Sequence, residues 1–293
     1  MNPVVTFNAF SFSYGGKIQA LNNISLTVPA GSFTVITGDG GSGKTTLCLA
    51  IAGLAPHYFG GAVGGSLLVN GVNTLQRQVA ELAETVGIVL EDYESQLVTM
   101  TVEEEVAFSL ENRGAAPAEI SRRVQEALAM VGLTGQERKE IAALSGGQRQ
   151  RLAIAAVLAT RPSILVLDEA ASALDPEGAA ELYTLLSELN RQNHLTVVLV
   201  EHDLAKVLPY ATQLVLLQEG SIAAAGPAAK VLRHMACQDS YREGLPALWT
   251  LKLYMEQTAG QPFGDWRQED EAIFELVRYM TQANEVSKNA RTA

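Results

Sequence analysis

The 293-residue sequence holds only two cysteines, Cys48 and Cys237, far apart along the chain. That excludes a disulfide framework or a cysteine-built zinc cluster, and it fits a reducing compartment. Positive charge is scarce as well: 21 Lys and Arg against 32 Asp and Glu give 21 − 32 = −11. Non-specific attachment to nucleic acid or anionic lipid depends on basic side chains, so neither is expected as a partner. No long apolar run occurs. Stretches such as 152–160 and 195–200 fall short of the ~18–20 residues of a membrane helix. The first residues, Met-Asn-Pro-Val-Val, carry neither a basic region nor an apolar one, so no signal peptide is expected. The chain reads as soluble, and work at a membrane requires a partner to hold it there. Aromatics are few at 6%, yet 47% of residues are apolar and 18% charged, which suits one large core or two modest ones and excludes a disordered chain.

Strand patterns fall at 4–13, 24–28, 33–37, 66–70, 86–90, 164–167, 196–200 and 214–217. Helical patterns cover 47–54, 76–85 and 176–192, and residues 57–65 read as a glycine-rich surface loop. From about 91 to 160 the pattern turns helical. There Thr101 precedes Glu104 by the three residues of a capping box, and 118–131 is amphipathic and ends at Gly132. Strand–helix–strand alternation predicts a largely parallel α/β sheet interrupted by a helical insertion. Beyond residue 231 the chain carries both tryptophans, Trp249 and Trp266. A terminal amphipathic helix over 269–282 aligns Ile273, Leu276, Val277 and Met280, and the last ten residues are expected to fray.

Between the strand at 33–37 and the helix after it lies Gly38-Asp39-Gly40-Gly41-Ser42-Gly43-Lys44-Thr45-Thr46, a P-loop pattern in the strand–loop–helix setting that pattern needs. Glycines let successive backbone N–H groups point inward at phosphate oxygens, and the following helix adds its positive end. Lys44 then reaches the β- and γ-phosphates, and the Thr45 hydroxyl ligates Mg²⁺. The apolar run 164–167 ends in Asp168 and Glu169, which suit the magnesium-side acid and the general base for water.

Leu144-Ser145-Gly146-Gly147-Gln148, 20 residues before Asp168, completes a set that resembles the nucleotide-binding subunit of ATP-binding cassette (ABC) transporters over roughly residues 4–230. The resemblance implies an α/β fold, a P-loop NTPase of ABC type. Its parts are a parallel-sheet core, an N-terminal antiparallel β subdomain, a helical subdomain at about 91–160 and an α-rich extension over 231–293. It implies ATP and Mg²⁺ as cofactors and ATP hydrolysis as the activity, with catalytic roles for Lys44, Glu169 and His202. Ser145, Gly146 and Gly147 would face the γ-phosphate bound to a second ATPase subunit, so that ATP joins two subunits head to tail. Tyr14 matches the aromatic that stacks on adenine, although a strand-end tyrosine also serves plain packing. Ser172-Ala173-Leu174-Asp175 matches the loop through which the two sites communicate, and His202 the switch histidine.

The sequence departs from the family pattern at two places. Ala170-Ala171 follow the catalytic glutamate where Pro-Thr is usual, a mild change. Glu91 stands where a glutamine touches Mg²⁺; the carboxylate either tightens metal binding, weakens hydrolysis or points to solvent. Residues 53–61, 96–108 and 200–203 resemble the energy-coupling-factor (ECF, cobalt-type) branch. That branch implies import of a vitamin or a transition-metal ion by two ATPases under a transmembrane coupling protein and a small substrate-binding membrane protein, with this chain peripheral on the cytoplasmic face. Another ABC importer or exporter is the alternative, and a soluble ABC ATPase acting on nucleic acid is disfavoured by the −11 charge. Glu91, Asp92 and Glu94 are expected to meet the membrane partner, Glu94 through a partner arginine or as part of a solvated acidic loop. The extension either joins the two cassettes or packs on its own subunit.

Overall fold

The computed structural model describes residues 2–16, 18–172 and 174–292, with side chains described through residue 281. In chain order the elements are β1 (Pro3–Tyr14), β2 (Ile18–Pro29), β3 (Phe33–Thr37), α1 (Lys44–Ile51), α2 (Leu54–His57), β4 (Ala62–Val69), β5 (Val72–Asn73), α3 (Val79–Leu82) and β6 (Val86–Val89). They continue with α4 (Val102–Asn112), α5 (Pro117–Met130), α6 (Gly146–Leu158), β7 (Ile164–Asp168), α7 (Pro176–Asn193), β8 (Thr196–Val200), α8 (Leu204–Val207), β9 (Gln213–Gln218) and β10 (Ser221–Gly226). The extension adds α9 (Ala228–Ala236), α10 (Asp239–Arg242), α11 (Ala247–Ala259) and α12 (Glu269–Thr292).

Two sheets result. A four-stranded sheet of order β2-β1-β4-β5 is antiparallel, and a six-stranded sheet has the order β10-β9-β3-β8-β7-β6. In the second, β9, β3, β8, β7 and β6 run parallel and β10 pairs antiparallel at the edge. Its central strands β3, β7 and β8 are buried at every residue, which is why they read as continuous apolar runs. Alternate residues serve opposite faces. Leu165, Leu167, Val197 and Leu199 join one core with α6, α7 and the helical insertion, while Ile164, Val166, Val198 and Val200 join another with α1 and the antiparallel sheet.

Two segments differ from their sequence patterns. The glycine-rich stretch 57–65 is not all loop: β4 begins at Ala62 and pairs with β1 across a bulge between Asn8 and Ser11. Glycines inside a strand mark such irregular pairing, which loop composition masks. The helix expected over 76–85 contracts to a 3-10 turn at Thr74–Gln76 and the single turn α3, where the Gln78 N–H donates to Glu81 Oε2 at 3.1 Å. The capping box at α4 forms as the spacing predicts, with the Thr101 N–H donating to Glu104 Oε2 at 2.9 Å. The terminal helix runs beyond 282 to Thr292.

Candidate nucleotide site

The phosphate loop, Asp168, Glu169 and His202 gather at the carboxyl-terminal edge of the parallel strands, where open α/β sheets place their ligands. β3 ends at Thr37 and the loop 38–43 turns directly into α1. Two of its glycines are required by space. A methyl group on Gly38 would lie 2.1 Å from the Leu217 carbonyl oxygen, and one on Gly43 2.5 Å from that of Ala20. Both also hold positive φ, 146° and 102°. Gly43 is the N-cap of α1 and supplies no side-chain cap, so the first N–H groups of the helix remain available to an anion. Lys44 is buried, and its Nζ donates to the carbonyls of Gly38 at 3.0 Å and Asp39 at 2.9 Å, so it spans the loop from within.

Asp168 closes β7 and is only 1% exposed, yet its Oδ1 has no hydrogen-bond partner. Burial raises its pKa; a hydrogen bond from the Thr45 hydroxyl opposes that rise, the Glu169 and Glu91 carboxylates add to it, and Lys44 opposes it. An unsatisfied buried carboxylate oxygen beside a hydroxyl suits a hard divalent ion. Among the described residues no group of three His, Cys, Asp or Glu side chains is placed to hold a metal by itself, so an ion here takes further ligands from phosphate and water. Glu91 enters this field through sheet register. β6 pairs Val89 with Leu167, and Glu91 follows two residues after the end of β6 as Glu169 follows two after Leu167.

Glu169 adopts φ 51°, a left-handed conformation that costs a non-glycine residue about 1–3 kcal/mol and is typical of functional turns. Its Oε1 lies 2.8 Å from His202 Nε2. A carboxylate held by an imidazole at the mouth of a phosphate loop can orient and deprotonate water. His202 is itself positioned by a neighbour that sequence reasoning did not single out. Glu201 Oε1 accepts the backbone N–H groups of His202 and Asp203, both at 2.9 Å, while its Oε2 accepts from the Tyr183 hydroxyl. No spacing rule links Tyr183 on α7 to Glu201, so only the packing of α7 against β8 reveals the pair. Tyr14 sits at the end of β1, with its hydroxyl 3.2 Å from the Thr46 Oγ1 and its ring edge-on to Phe12.

Leu144 and Gly146–Gln148 lie at the start of α6, with Ser145 as N-cap. The Ser145 Oγ accepts from the Gln148 N–H at 3.3 Å and Gln148 Oε1 accepts from the Ser145 N–H at 3.1 Å, a reciprocal capping box. This end of α6 opens onto a groove of about 530 Å³ shared with Leu174, Asp175 and Glu181, and none of the phosphate-loop residues lines it. The structure therefore leaves the two motifs apart within one chain. Ser172 is exposed and Asp175 caps α7 through Gly178 at 2.8 Å; Ala173 lies outside the described residues.

The family model "ABC transporter" matches residues 21–172. A putative ABC transporter ATP-binding protein of Pyrococcus abyssi is 41% identical over 79% of this chain and 83% of its own length. The energy-coupling factor transporter ATP-binding protein EcfA1 of Levilactobacillus brevis is 37% identical over 75% and 77%. The chain belongs to the ABC transporter family. Among solved structures, this ABC ATPase is similar to cbiO1 of Clostridium perfringens, part of the transporter complex cbiONQ, with a TM-score of 0.71 and 28% identity over 83% of this chain and 98% of that one. It is also similar to a dimeric ATP-binding cassette in a post-hydrolysis state with ADP and Pi, with a TM-score of 0.67 and 29% identity over 76% and 98%. It is an ATP-binding, ATP-hydrolysing transporter subunit, and no helix among its described residues is long and apolar enough to cross a membrane.

Glu94 meets an arginine of its own chain: Arg149 of α6 places Nε and Nη2 each 2.9 Å from Glu94 Oε1. The acid therefore braces the segment after β6 against the helix that carries Ser145. Tyr93 does the same through a hydroxyl that donates to the Gly146 carbonyl at 3.3 Å. Gln96, the one glutamine of segment 91–96, is also spent on structure: its Oε1 accepts the Leu90 N–H at 2.9 Å. Glu91 thus has no nearby glutamine to take its place. On α12 the row Ile273, Val277 and Met280 faces outward with Phe274, while Ala272, Leu276 and Tyr279 pack inward.

Proposed function

We propose that this ABC ATPase powers an ECF-type importer of a vitamin or transition-metal ion, as one of two cassettes that close around two ATP. The observation that carries the catalytic part is the convergence of Lys44, Asp168, Glu169 and His202 on one sheet edge, with Glu169 held 2.8 Å from His202. Residues 38–46 cradle the phosphates and Tyr14 meets the adenine. Mg²⁺ would be held by Thr45 and Asp168, with Glu91 beside them, and supplies neutralisation of phosphate charge when bound. Glu169 activates water and His202 holds its carboxylate in line. Leu144–Gln148 and the loop 172–175 serve the nucleotide of the second subunit, a division supported by the groove lined by Ser145–Gln148, Leu174 and Asp175, to which no phosphate-loop residue contributes.

The transporter branch draws its support from the likeness to EcfA1 and cbiO1. Residues 1–230 form the ATPase domain with its helical subdomain near 91–160, and 231–293 the extension. The chain docks on the cytoplasmic face of the membrane through a transmembrane coupling protein that works with a small substrate-binding membrane protein. The exposed row on α12 supports a further contact of the extension with the second cassette.

Affinity capture of the tagged chain from its own membranes, paired with ATPase assays, tests both parts. Wild type hydrolyses ATP, and Glu169→Gln loses about 10²-fold or more while still binding it. A small, very apolar protein of about six membrane helices recovered with the chain supports ECF-type import. Recovery with an extracytoplasmic binding protein instead overturns that branch and leaves the ATPase intact.

A further inference from the structure

Tyr183 lies in the middle of α7, buried in the main core, and its hydroxyl donates to the Glu201 Oε2. Burial raises the pKa of this phenol most, followed by the hydrogen bond to Glu201 and the charges of Glu201 and Asp203, so it stays protonated and serves as a donor. The other oxygen of Glu201, Oε1, accepts the N–H groups of His202 and Asp203, both at 2.9 Å. One ionised carboxylate thus takes three donors, as an acceptor-only group with roughly four lone-pair sites can. The backbone of Glu201 is pinned as well. Its N–H donates to the Ile36 carbonyl at 3.0 Å and carries the pairing of β8 with β3 one residue past Val200.

Beyond Glu201 the chain turns out to solvent. His202 and Asp203 are exposed, and the His202 side chain is half exposed even with its Nε2 2.8 Å from Glu169 Oε1. An exposed turn does not by itself keep an imidazole in register with a carboxylate, and a small misplacement of a reacting group costs rate. α7 supplies the fixed point. Asp175 caps its first turn by accepting the Gly178 N–H at 2.8 Å, and Ala179, Leu182, Leu186 and Leu189 seat it in the same core as Tyr183. We propose that Tyr183 and Glu201 are positioning residues for ATP hydrolysis: the phenol orients the Glu201 carboxylate, the carboxylate fixes the turn at 202–203, and the turn holds the His202 ring against Glu169. This rests on the reading of Glu169 and His202 as the hydrolytic pair. A tyrosine that served the core alone would not need His202 to show its effect.

The test introduces Tyr183→Phe into the full chain in three backgrounds, wild type, His202→Ala and Glu201→Ala, and measures steady-state ATP hydrolysis together with Mg·ADP affinity by calorimetry. In wild type it is expected to lower kcat about three- to tenfold, the size of one hydrogen bond. The KM for ATP and the Kd for Mg·ADP stay within about twofold, because the misplaced group acts in the chemical step and not in binding. In the His202→Ala background the same substitution leaves the residual rate unchanged. Glu201→Ala removes the acceptor of all three donors and lowers kcat at least as far, and Tyr183→Phe adds nothing to it. A wild-type kcat in Tyr183→Phe, or an equal fractional loss with and without His202, overturns the proposal. His202→Ala at the wild-type rate overturns instead the role given to His202, and this inference with it.

Discussion

Two buried carboxylates are treated in opposite ways. Asp168 at the end of β7 keeps an oxygen without a partner, and its pKa is raised, first of all by burial. Glu256 on α11, 12% exposed, has both oxygens partnered. It takes a fork from Arg233 at 2.7 and 2.8 Å, the Lys252 Nζ at 2.8 Å and the Phe263 N–H at 3.0 Å. Those contacts, led by Arg233, hold its pKa down to about 2. Glu256 is given its counter-charges by the fold, whereas Asp168, which the proposed function assigns to the ion, keeps one oxygen unpaired and bears the cost. Removing either carboxylate should therefore move stability in opposite directions.

The larger effect belongs to Glu256. Lys252 is fully buried, with its Nζ 4.4 Å from the Trp249 ring centroid, and its carboxylate partner is Glu256. Glu256→Ala leaves that ammonium uncompensated and should cost about 3–5 kcal/mol in denaturant unfolding. Lys252→Met together with Glu256→Leu should recover much of it, because the penalty is the orphaned charge and not the missing contact. The pH dependence has a definite sign. A carboxylate depressed from 4.5 to about 2 contributes its full stabilisation above pH 4.5 and loses it as pH falls through about 2. Acid should loosen the extension across that window in wild type and far less in the double variant.

Asp168→Asn sharpens the comparison from the other side. Because folding raises this pKa, the charged form burdens the native state above the folded value, and the burden disappears below the unfolded one near 3.8. At neutral pH and without divalent ions, Asp168→Asn should be more stable than wild type by about 1 kcal/mol. Adding Mg·ATP should reverse the order, since wild type gains binding energy that the variant cannot. A variant less stable under both conditions would mean that Asp168 is a structural acid like Glu256.

The two carboxylates were not equally legible. Asp168 follows a buried apolar strand and sits at a fixed relation to Lys44 and Ser145, so the linear pattern and the ABC resemblance both point to it. Nothing local marks Glu256 or Lys252: the i,i+4 spacing reads as an ordinary exposed pair on a helix, and only the packing of Arg233 from α9 over Trp249 and Glu256 of α11 reveals the enclosed pair. The strands of the parallel sheet were legible because their full burial makes them uniformly apolar. The Glu94–Arg149 pair was not legible for the opposite reason, since an acid in a loop carries no record of which arginines of its own chain will meet it. Ile273, Val277 and Met280 do form one face as their spacing indicates, but the spacing is silent on whether that face turns inward, and here it turns out.

Glu91 brings the smallest expected change and the most direct link between the site's charge and its ion. It is exposed, it contributes to the raised pKa of Asp168, and it lies just beyond the end of β6, the strand beside β7. Screening by water limits what an exposed carboxylate can do, so Glu91→Gln should raise the half-saturating Mg²⁺ for ATP hydrolysis by only about two- to fivefold. At saturating Mg²⁺ the rate should be unchanged or modestly higher, because one negative charge leaves the neighbourhood of the triphosphate. In metal-free protein the substitution should recover part of the stability that Asp168→Asn recovers, and the two gains should fall short of additive because both relieve the same repulsion. Identical Mg²⁺ curves for wild type and Glu91→Gln would remove Glu91 from the metal's surroundings, leaving Asp168 and Thr45 as the chain's own contribution to the ion.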